Sequence, residues 1–301
     1  MHKLSGVFAA NVTPFDPATL AIVPGWMSRH LAFLRAMGCN GIVPMGTNGE
    51  GLSMSVDERK AVIDMAVEAA QGLIVVPGTG CANLPDTAEL TRYAFAAGAD
   101  GVLVIPPFFF KNVTQAGVLA YYRRLCDAAL QPGQPLLLYH FPRMSAVPIG
   151  DEVVAGLEDS HPGCVAGVKD SSGDLASVLH WNALFPSLRV FAGSDTLASD
   201  AFKAGVAGTI TAGGNVVPDL LQRIRQAVLS GEDPSGPQAE LNKVRGWLEK
   251  SPSMHAATKF LLTMFADLPE VSLRPPLVDL TEAQRGELAA LAREHLSGVV
   301  R

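Results

Sequence analysis

No run of eighteen apolar residues occurs in the 301-residue sequence, so it offers no transmembrane helix. Blocks of like charge are missing as well. Lys and Arg number 23 against 29 Asp and Glu, a net charge of −6, and the clustered cations that grip nucleic-acid phosphates are absent. Neither nucleic acid nor a membrane is therefore an expected partner. The four cysteines, Cys39, Cys81, Cys126 and Cys164, form no CxxC, and none stands with a histidine at zinc spacing. That argues against a metal site and fits reduced, buried thiols in a cytoplasmic protein. The N-terminal MHKLSGVFAANVTPFD lacks a long apolar core and a small-residue cleavage signature, so no signal peptide is expected. Low-complexity tracts are also lacking.

What is present is alternation. Short apolar runs recur every 20 to 35 residues or so, at Gly6–Val12, Gly41–Met45, Ile74–Pro77, Gly101–Ile105, Pro135–Tyr139, Cys164–Val168, Val190–Ala192 and Gly208–Thr211. Helical patterns lie between them, such as Ser55–Gln71, which opens on the capping-box sequence SVDE, and Thr114–Leu130, which opens on a Thr cap. In RAMGCNGI, FAAGADGV and FKAGVAGT a helix ends, a glycine turns the chain and a buried strand begins. Eight strand–helix units predict a (β/α)8 TIM barrel. The open doubly wound sheet would want GxGxxG after its first strand, and NVTPFD is nothing like it. From about residue 232 the strands stop. The reading is a catalytic barrel over 1–231 and a C-terminal helical extension over 232–301 packed on it, with helices near Gln238–Lys250, Met254–Phe265 and Thr281–Leu296.

Barrel active sites sit at the C-terminal ends of the strands. Of eight lysines, Lys169 alone directly ends a predicted core strand; Lys60, Lys203, Lys243, Lys250 and Lys259 fall in helical patterns, Lys3 near the terminus and Lys111 in a loop. Burial disfavours a charged amine, and the free amine attacks ketones to form imines. A structural ion pair with Asp170 or Glu50 is an equally good reading of position alone. Tyr139 ends the neighbouring strand, where its hydroxyl can serve as a proton shuttle or simply fill the barrel. GTNGEG offers backbone N–H groups, with Thr47 and Asn48, as a nest for a carboxylate.

Four segments, GTNGE (46–50), YHFPR (139–143), GVKDSSGD (167–174) and GTITAGGN (208–215), resemble the dihydrodipicolinate synthase/N-acetylneuraminate lyase family of pyruvate-dependent class I aldolases. The likeness runs from NVTPF to the RPPL at Arg274–Leu277. It implies that Lys169 forms an imine with pyruvate or another 2-oxo acid and that Tyr139 is the general acid/base. It implies further that Thr47 relays protons or holds the carboxylate with Asn48, and that Ile210 packs beneath the pyruvyl group. It also implies a cytoplasmic homotetramer of tight dimers that uses no metal and no cofactor beyond the covalent imine.

Three positions depart from dihydrodipicolinate synthases. Thr47-Asn48 stands for two threonines, Phe108-Phe109-Phe110 for the stretch carrying a relay tyrosine, and Met144 for the substrate-binding arginine, with Arg143 one residue earlier. A buried Met144 would give a second carboxylate no ion-pair partner. The three phenylalanines are read as packing between subunits, with an apolar wall as the rival. His140 is expected to turn away from the face that Tyr139 uses, and Glu50 to orient its neighbours. The resulting expectation is a lyase joining or cleaving pyruvate and an aldehyde, its substrate a 2-keto-3-deoxy sugar acid or a 4-hydroxy-2-oxo acid. The alternatives are 4-hydroxy-tetrahydrodipicolinate synthase (pyruvate plus aspartate semialdehyde), a keto-deoxy acid dehydratase, and a barrel that binds 2-oxo acids without turnover. A phosphate-binding barrel isomerase fits less well, since Lys and Arg are sparse near TAGGN and AGSD.

Overall fold

The computed structural model describes residues 4–297, so Lys3 and the outermost residues of both predicted segments (1–3 and 298–301) lie outside the described residues. Eight parallel strands form one sheet in the order β3-β2-β1-β8-β7-β6-β5-β4. They are β1 Gly6–Ala9, β2 Gly41–Ile42, β3 Ile74–Val75, β4 Val102–Val104, β5 Leu136–His140, β6 Val165–Asp170, β7 Arg189–Ala192 and β8 Gly208–Thr211. A parallel bridge between Gly78 and Leu103 joins the β3 and β4 edges, with Thr79 N donating to Leu103 O at 3.0 Å and Leu103 N to Pro77 O at 2.9 Å. The sheet is thus a closed (β/α)8 barrel. Several strands are shorter than their apolar runs, because those runs continue into the buried loops above the strand ends.

Helices alternate with the strands: α1 Pro24–Ala36, α2 Val56–Ala70, α3 Leu84–Ala97, α4 Gln115–Ala129, the short α5 Pro142–Ser145, α6 Asp151–Ser160, α7 Leu175–Leu184, α8 Ala198–Lys203 and α9 Pro218–Ser230. Three more follow, α10 Ser235–Lys250, α11 Met254–Phe265 and α12 Glu282–Ser297. Ser55 caps α2 in a reciprocal box, Ser55 Oγ accepting from Glu58 N at 3.2 Å and Glu58 Oε2 from Ser55 N at 2.9 Å. A cap of this kind contributes about 1 kcal/mol. Gly38, Gly98 and Gly205 turn the chain out of their helices at φ of 82°, 104° and 78°, angles that a side chain disfavours.

Two apolar layers result. The outer one packs strands against helices; the inner one fills the barrel with Phe8, Val43, Val76, Leu103, Leu137, Tyr139, Phe191 and Ile210. β6 departs from simple alternation. Leu136 pairs with Val165 but Leu137 pairs with Gly167, so Ala166 is an extra residue, a β-bulge. Val165 and Val168 therefore both face the outer layer, and Lys169 turns inward beside Tyr139. Gly167 at the bulge has no room for a side chain, since a Cβ there would lie 2.1 Å from Arg189 O.

All four cysteines are free thiols, but Cys164 is only half-buried, unlike the three buried ones. Its Sγ lies 2.9 Å from that of Cys126, a pairing across 38 residues of chain. Among the described residues no helix is long and apolar enough to cross a membrane, and no group of three or more His, Cys, Asp or Glu is placed to hold a metal ion.

Candidate active site

The strand ends and the C-terminal helices enclose a cavity of about 360 Å³. Lys169, Tyr139, Thr47, Asn48, Ile210 and Arg143, the residues singled out from sequence, all line it. Lys169 and Tyr139 are direct partners in the β5–β6 ladder, and the lysine Nζ lies 4.2 Å from the centroid of the tyrosine ring. Both are buried, at 3% and 5% exposure. Tyr139 stacks on Phe141 with ring centroids 5.6 Å apart, and its hydroxyl lies 3.1 Å from Thr47 Oγ1. Ile210 on β8 adds an apolar floor.

The carboxylates that could have paired with Lys169 are engaged elsewhere. Asp170 Oδ1 accepts from Ser172 N at 2.8 Å and Ser172 Oγ at 2.6 Å, and its Oδ2 from Ser177 Oγ at 2.5 Å and Trp181 Nε1 at 3.0 Å. Glu50 Oε1 meets Lys259 Nζ at 2.6 Å, and its Oε2 accepts from Arg274 N at 3.1 Å. No carboxylate among the described residues lies within 4.0 Å of Lys169 Nζ. The structural ion pair is therefore not what this lysine makes.

The β2 loop is held from a distance. Glu50 caps the turn at φ 52° and donates its N–H to Thr47 O at 3.1 Å, while His255 Nε2 lies 2.9 Å from the same oxygen. A carbonyl only accepts, so Nε2 carries the proton; burial lowers the His255 pKa and favours this neutral form. Among the described residues the backbone N–H groups of Thr47 and Asn48 meet no acceptor, and neither does the buried Asn48 Nδ2. Together they can receive a small anion.

One expectation needs correcting. Met144 is not buried but 57% exposed at the cavity rim, because α5 turns it outward. In the single chain Phe109 and Phe110 are exposed, at 72% and 69%, as packing between subunits would require, while Phe108 is half-buried in an apolar wall. Lys259 lies on α11, in the helical pattern assigned to it, and is a second buried lysine. His140 turns outward as alternation requires, its Nδ1 accepting from Ile149 N at 3.3 Å and its ring against Trp181.

Sequence reasoning missed the contribution of α10 and α11. Arg245 and Glu249 from α10, and Met254 and His255 from α11, line the cavity. One signal was there to find: His255 and Lys259 stand four residues apart among Ala256, Ala257, Leu261 and Leu262, so two polar groups share the buried side of one helix.

A buried amine free of carboxylates, a hydroxyl pair beside it and an anion cradle of N–H groups are the equipment for attack on the carbonyl of a 2-oxo acid with proton transfer alongside. The dihydrodipicolinate synthetase family model matches residues 3–295. Over 298 residues the chain is 39% identical to the uncharacterized DapA-like lyase of Chloroflexus aurantiacus, covering 99% of each chain. It is 32% identical over 288 residues to the 4-hydroxy-tetrahydrodipicolinate synthase of Nitrobacter hamburgensis, covering 93% of this chain and 92% of that one. Among solved structures, that of KD(P)GA from T. tenax superposes with a TM-score of 0.88 at 26% identity, over 98% of this chain and 100% of the other.

Proposed function

The chain belongs to the dihydrodipicolinate synthetase family, and on that premise we propose that it is a Schiff-base lyase acting on 4-hydroxy-2-oxo acids, with pyruvate as one half of the substrate. Lys169 Nζ adds to the C2 carbonyl and water leaves, giving a protonated imine. The Tyr139 oxygen takes the proton of the C4 hydroxyl as the C3–C4 bond breaks. The bonding pair moves into the imine, an aldehyde departs, and the remaining enamine is protonated at C3 and hydrolysed to pyruvate. Thr47 Oγ1 passes protons to and from Tyr139. The N–H groups of Thr47 and Asn48 hold the C1 carboxylate, with Ile210 beneath the pyruvyl methyl. Run backwards, the same steps condense pyruvate with an aldehyde.

One contrast carries this reading. Among the described residues two lysines are buried: Lys259 has Glu50 at 2.6 Å, whereas Lys169 has no carboxylate within 4.0 Å and faces the cavity. Removing an amine from water without a counter-ion is costly, and such cost concentrates at functional sites.

The name of the Nitrobacter relative favours a second reading within the same chemistry, condensation of pyruvate with aspartate semialdehyde. Arg143, exposed at the rim, would then hold the second carboxylate. The reading also carries a cytoplasmic homotetramer, which light scattering behind size exclusion would test. The deciding experiment is borohydride reduction in the presence of pyruvate, followed by peptide mass spectrometry. A reduced pyruvyl adduct on Lys169 is expected. Folded protein that traps neither pyruvate nor other 2-oxo acids would overturn the mechanism.

A further inference from the structure

Where the end of α4 meets the start of β6, two thiols that take no part in the Lys169 cavity face each other. Cys126 Sγ, in the last turn of α4, lies 2.9 Å from the Sγ of Cys164, the residue before β6 begins. Other bonds hold the same two segments together around them. His161 Nε2 lies 3.0 Å from Asp127 Oδ1, and Arg123 donates to Ser160 Oγ and Gly156 O, each at 3.1 Å. Cys164 N donates to His161 O, and Cys164 O accepts from Leu136 N, both at 3.0 Å. The fold itself therefore sets the two sulfurs side by side. The other cysteines differ. Cys39 Sγ donates to Val7 O at 3.3 Å and Gly41 O at 3.1 Å, and burial pushes its thiol up to about 11. Cys81 Sγ accepts from Arg59 Nη1 at 2.9 Å.

We infer that Cys126 and Cys164 form a reversible oxidation site, in which Cys164 meets a hydroperoxide and Cys126 resolves the product into a disulfide. The inference is independent of the Schiff-base reading. Cys164 is half-buried and Cys126 buried, so an oxidant in solvent reaches Cys164 first. The hydrogen bond from Cys126 lowers the Cys164 pKa, against burial and the nearby Glu158, and the same bond with burial raises that of Cys126. A thiolate open to solvent with a second thiol in contact is the arrangement of redox-sensing pairs. The Cys164 thiolate attacks one peroxide oxygen, the O–O bond breaks, and the departing hydroxide takes up a proton as water. The Cys126 sulfur then attacks the resulting sulfenic acid at Cys164. The S–S bond forms, the S–O bond breaks, and a second water leaves with the Cys126 proton. Two electrons have passed from the sulfurs to the peroxide. A disulfide is about 2.05 Å long, so the sulfurs have about 0.9 Å to close. The bond ties α4 to the base of the strand that carries Lys169. A reducing compartment keeps the pair as thiols, and a dithiol reverses the bond by exchange.

The test treats the fully reduced protein with hydrogen peroxide and counts free thiols in urea with a thiol-specific dye. The count should fall from four to two and return to four after dithiothreitol. Tryptic mapping without reduction should find residues 125–143 linked to residues 144–169 of the same chain. Closing a loop across 38 residues should also raise the urea midpoint of the oxidised protein. Cys126→Ser should form no link and should accumulate a sulfenic acid at Cys164 that dimedone traps, whereas Cys164→Ser should trap none at Cys126. Four thiols retained in peroxide that oxidises free glutathione, or a link to any other cysteine, would overturn the inference. Dimedone on Cys126 of Cys164→Ser, with none on Cys164 of Cys126→Ser, would overturn the assigned roles.

Discussion

Replacing Lys259 by methionine should cost far more stability than an ordinary lysine substitution. Its Nζ lies 2.6 Å from Glu50 Oε1, with side-chain exposures of 2% and 0%, and it also donates to Ser272 O at 2.7 Å. At an effective dielectric of about 20 the attraction at this distance is roughly 6 kcal/mol. Several kcal/mol of desolvation per ion largely cancel it. The pair as a whole therefore adds little, but neither half is tolerable alone. In Lys259→Met, Glu50 would stay buried with only the Arg274 N–H as a partner, and a loss of about 3–5 kcal/mol follows. Glu50→Gln should cost a similar amount by stranding the ammonium. The double variant Glu50→Gln/Lys259→Met strands no charge and should cost only about 1–3 kcal/mol, that of an underpaired amide. Urea denaturation followed by far-ultraviolet circular dichroism measures all four species. A Lys259→Met loss under about 1 kcal/mol, or single losses that simply add in the double variant, would refute the reasoning.

Tyr139→Phe keeps the ring under Lys169 but removes the hydroxyl facing Thr47. Turnover should slow by roughly 10²–10⁴-fold, and a near wild-type kcat in the folded variant would remove Tyr139 from proton transfer. His30 is fully buried, and that burial lowers its pKa from 6.5 to about 4. The imidazole is neutral in the folded protein and takes a proton more readily once unfolded. Its contribution is therefore complete above pH 6.5 and is lost as pH falls toward 4, a total of roughly 3 kcal/mol. In urea midpoints between pH 7 and 4, His30→Gln should flatten that part of the slope; an unchanged slope would exclude His30 as its source. Gly167→Ala puts a Cβ 2.1 Å from Arg189 O and should destabilise by about 1–3 kcal/mol through overpacking. Thermal melts check this, and a variant as stable as the parent would mean that β6 and β7 separate without cost.

The barrel was legible because its signals are local. Apolar runs bounded by glycine-ended helices located all eight strands, and the Ser55 and Thr114 caps were visible as sequence. The candidate residues at the strand ends do come to one cavity, because parallel strands deliver all their C-terminal ends to the same face. Tertiary choices were not legible. The bond from His255 to Thr47 O spans 208 residues and that from Lys259 to Glu50 spans 209, and nothing near either end specifies the other. The outward turn of Met144 and the division of the three phenylalanines depend on how α5 and the β4 loop pack, which a hydrophobicity pattern does not encode.

The surplus residue in β6 makes the position of the amine a matter of odd and even. Val165 looks outward, so a strand that alternated strictly would send residues 167 and 169 outward too, and Lys169 would end among the helices. Ala166 moves the count by one and reverses every face after it. Losing that single alanine together with its bulge would restore strict alternation with Gly167 and Lys169 still inward, whereas the same residues paired without the bulge would direct the amine out of the barrel. Substitutions in this strand are graded events, whereas a one-residue insertion before Lys169 that forms no further bulge is all or nothing. Grafting the same motif onto a barrel strand in which its first glycine fell on the outward face would transplant the letters and leave the nucleophile behind.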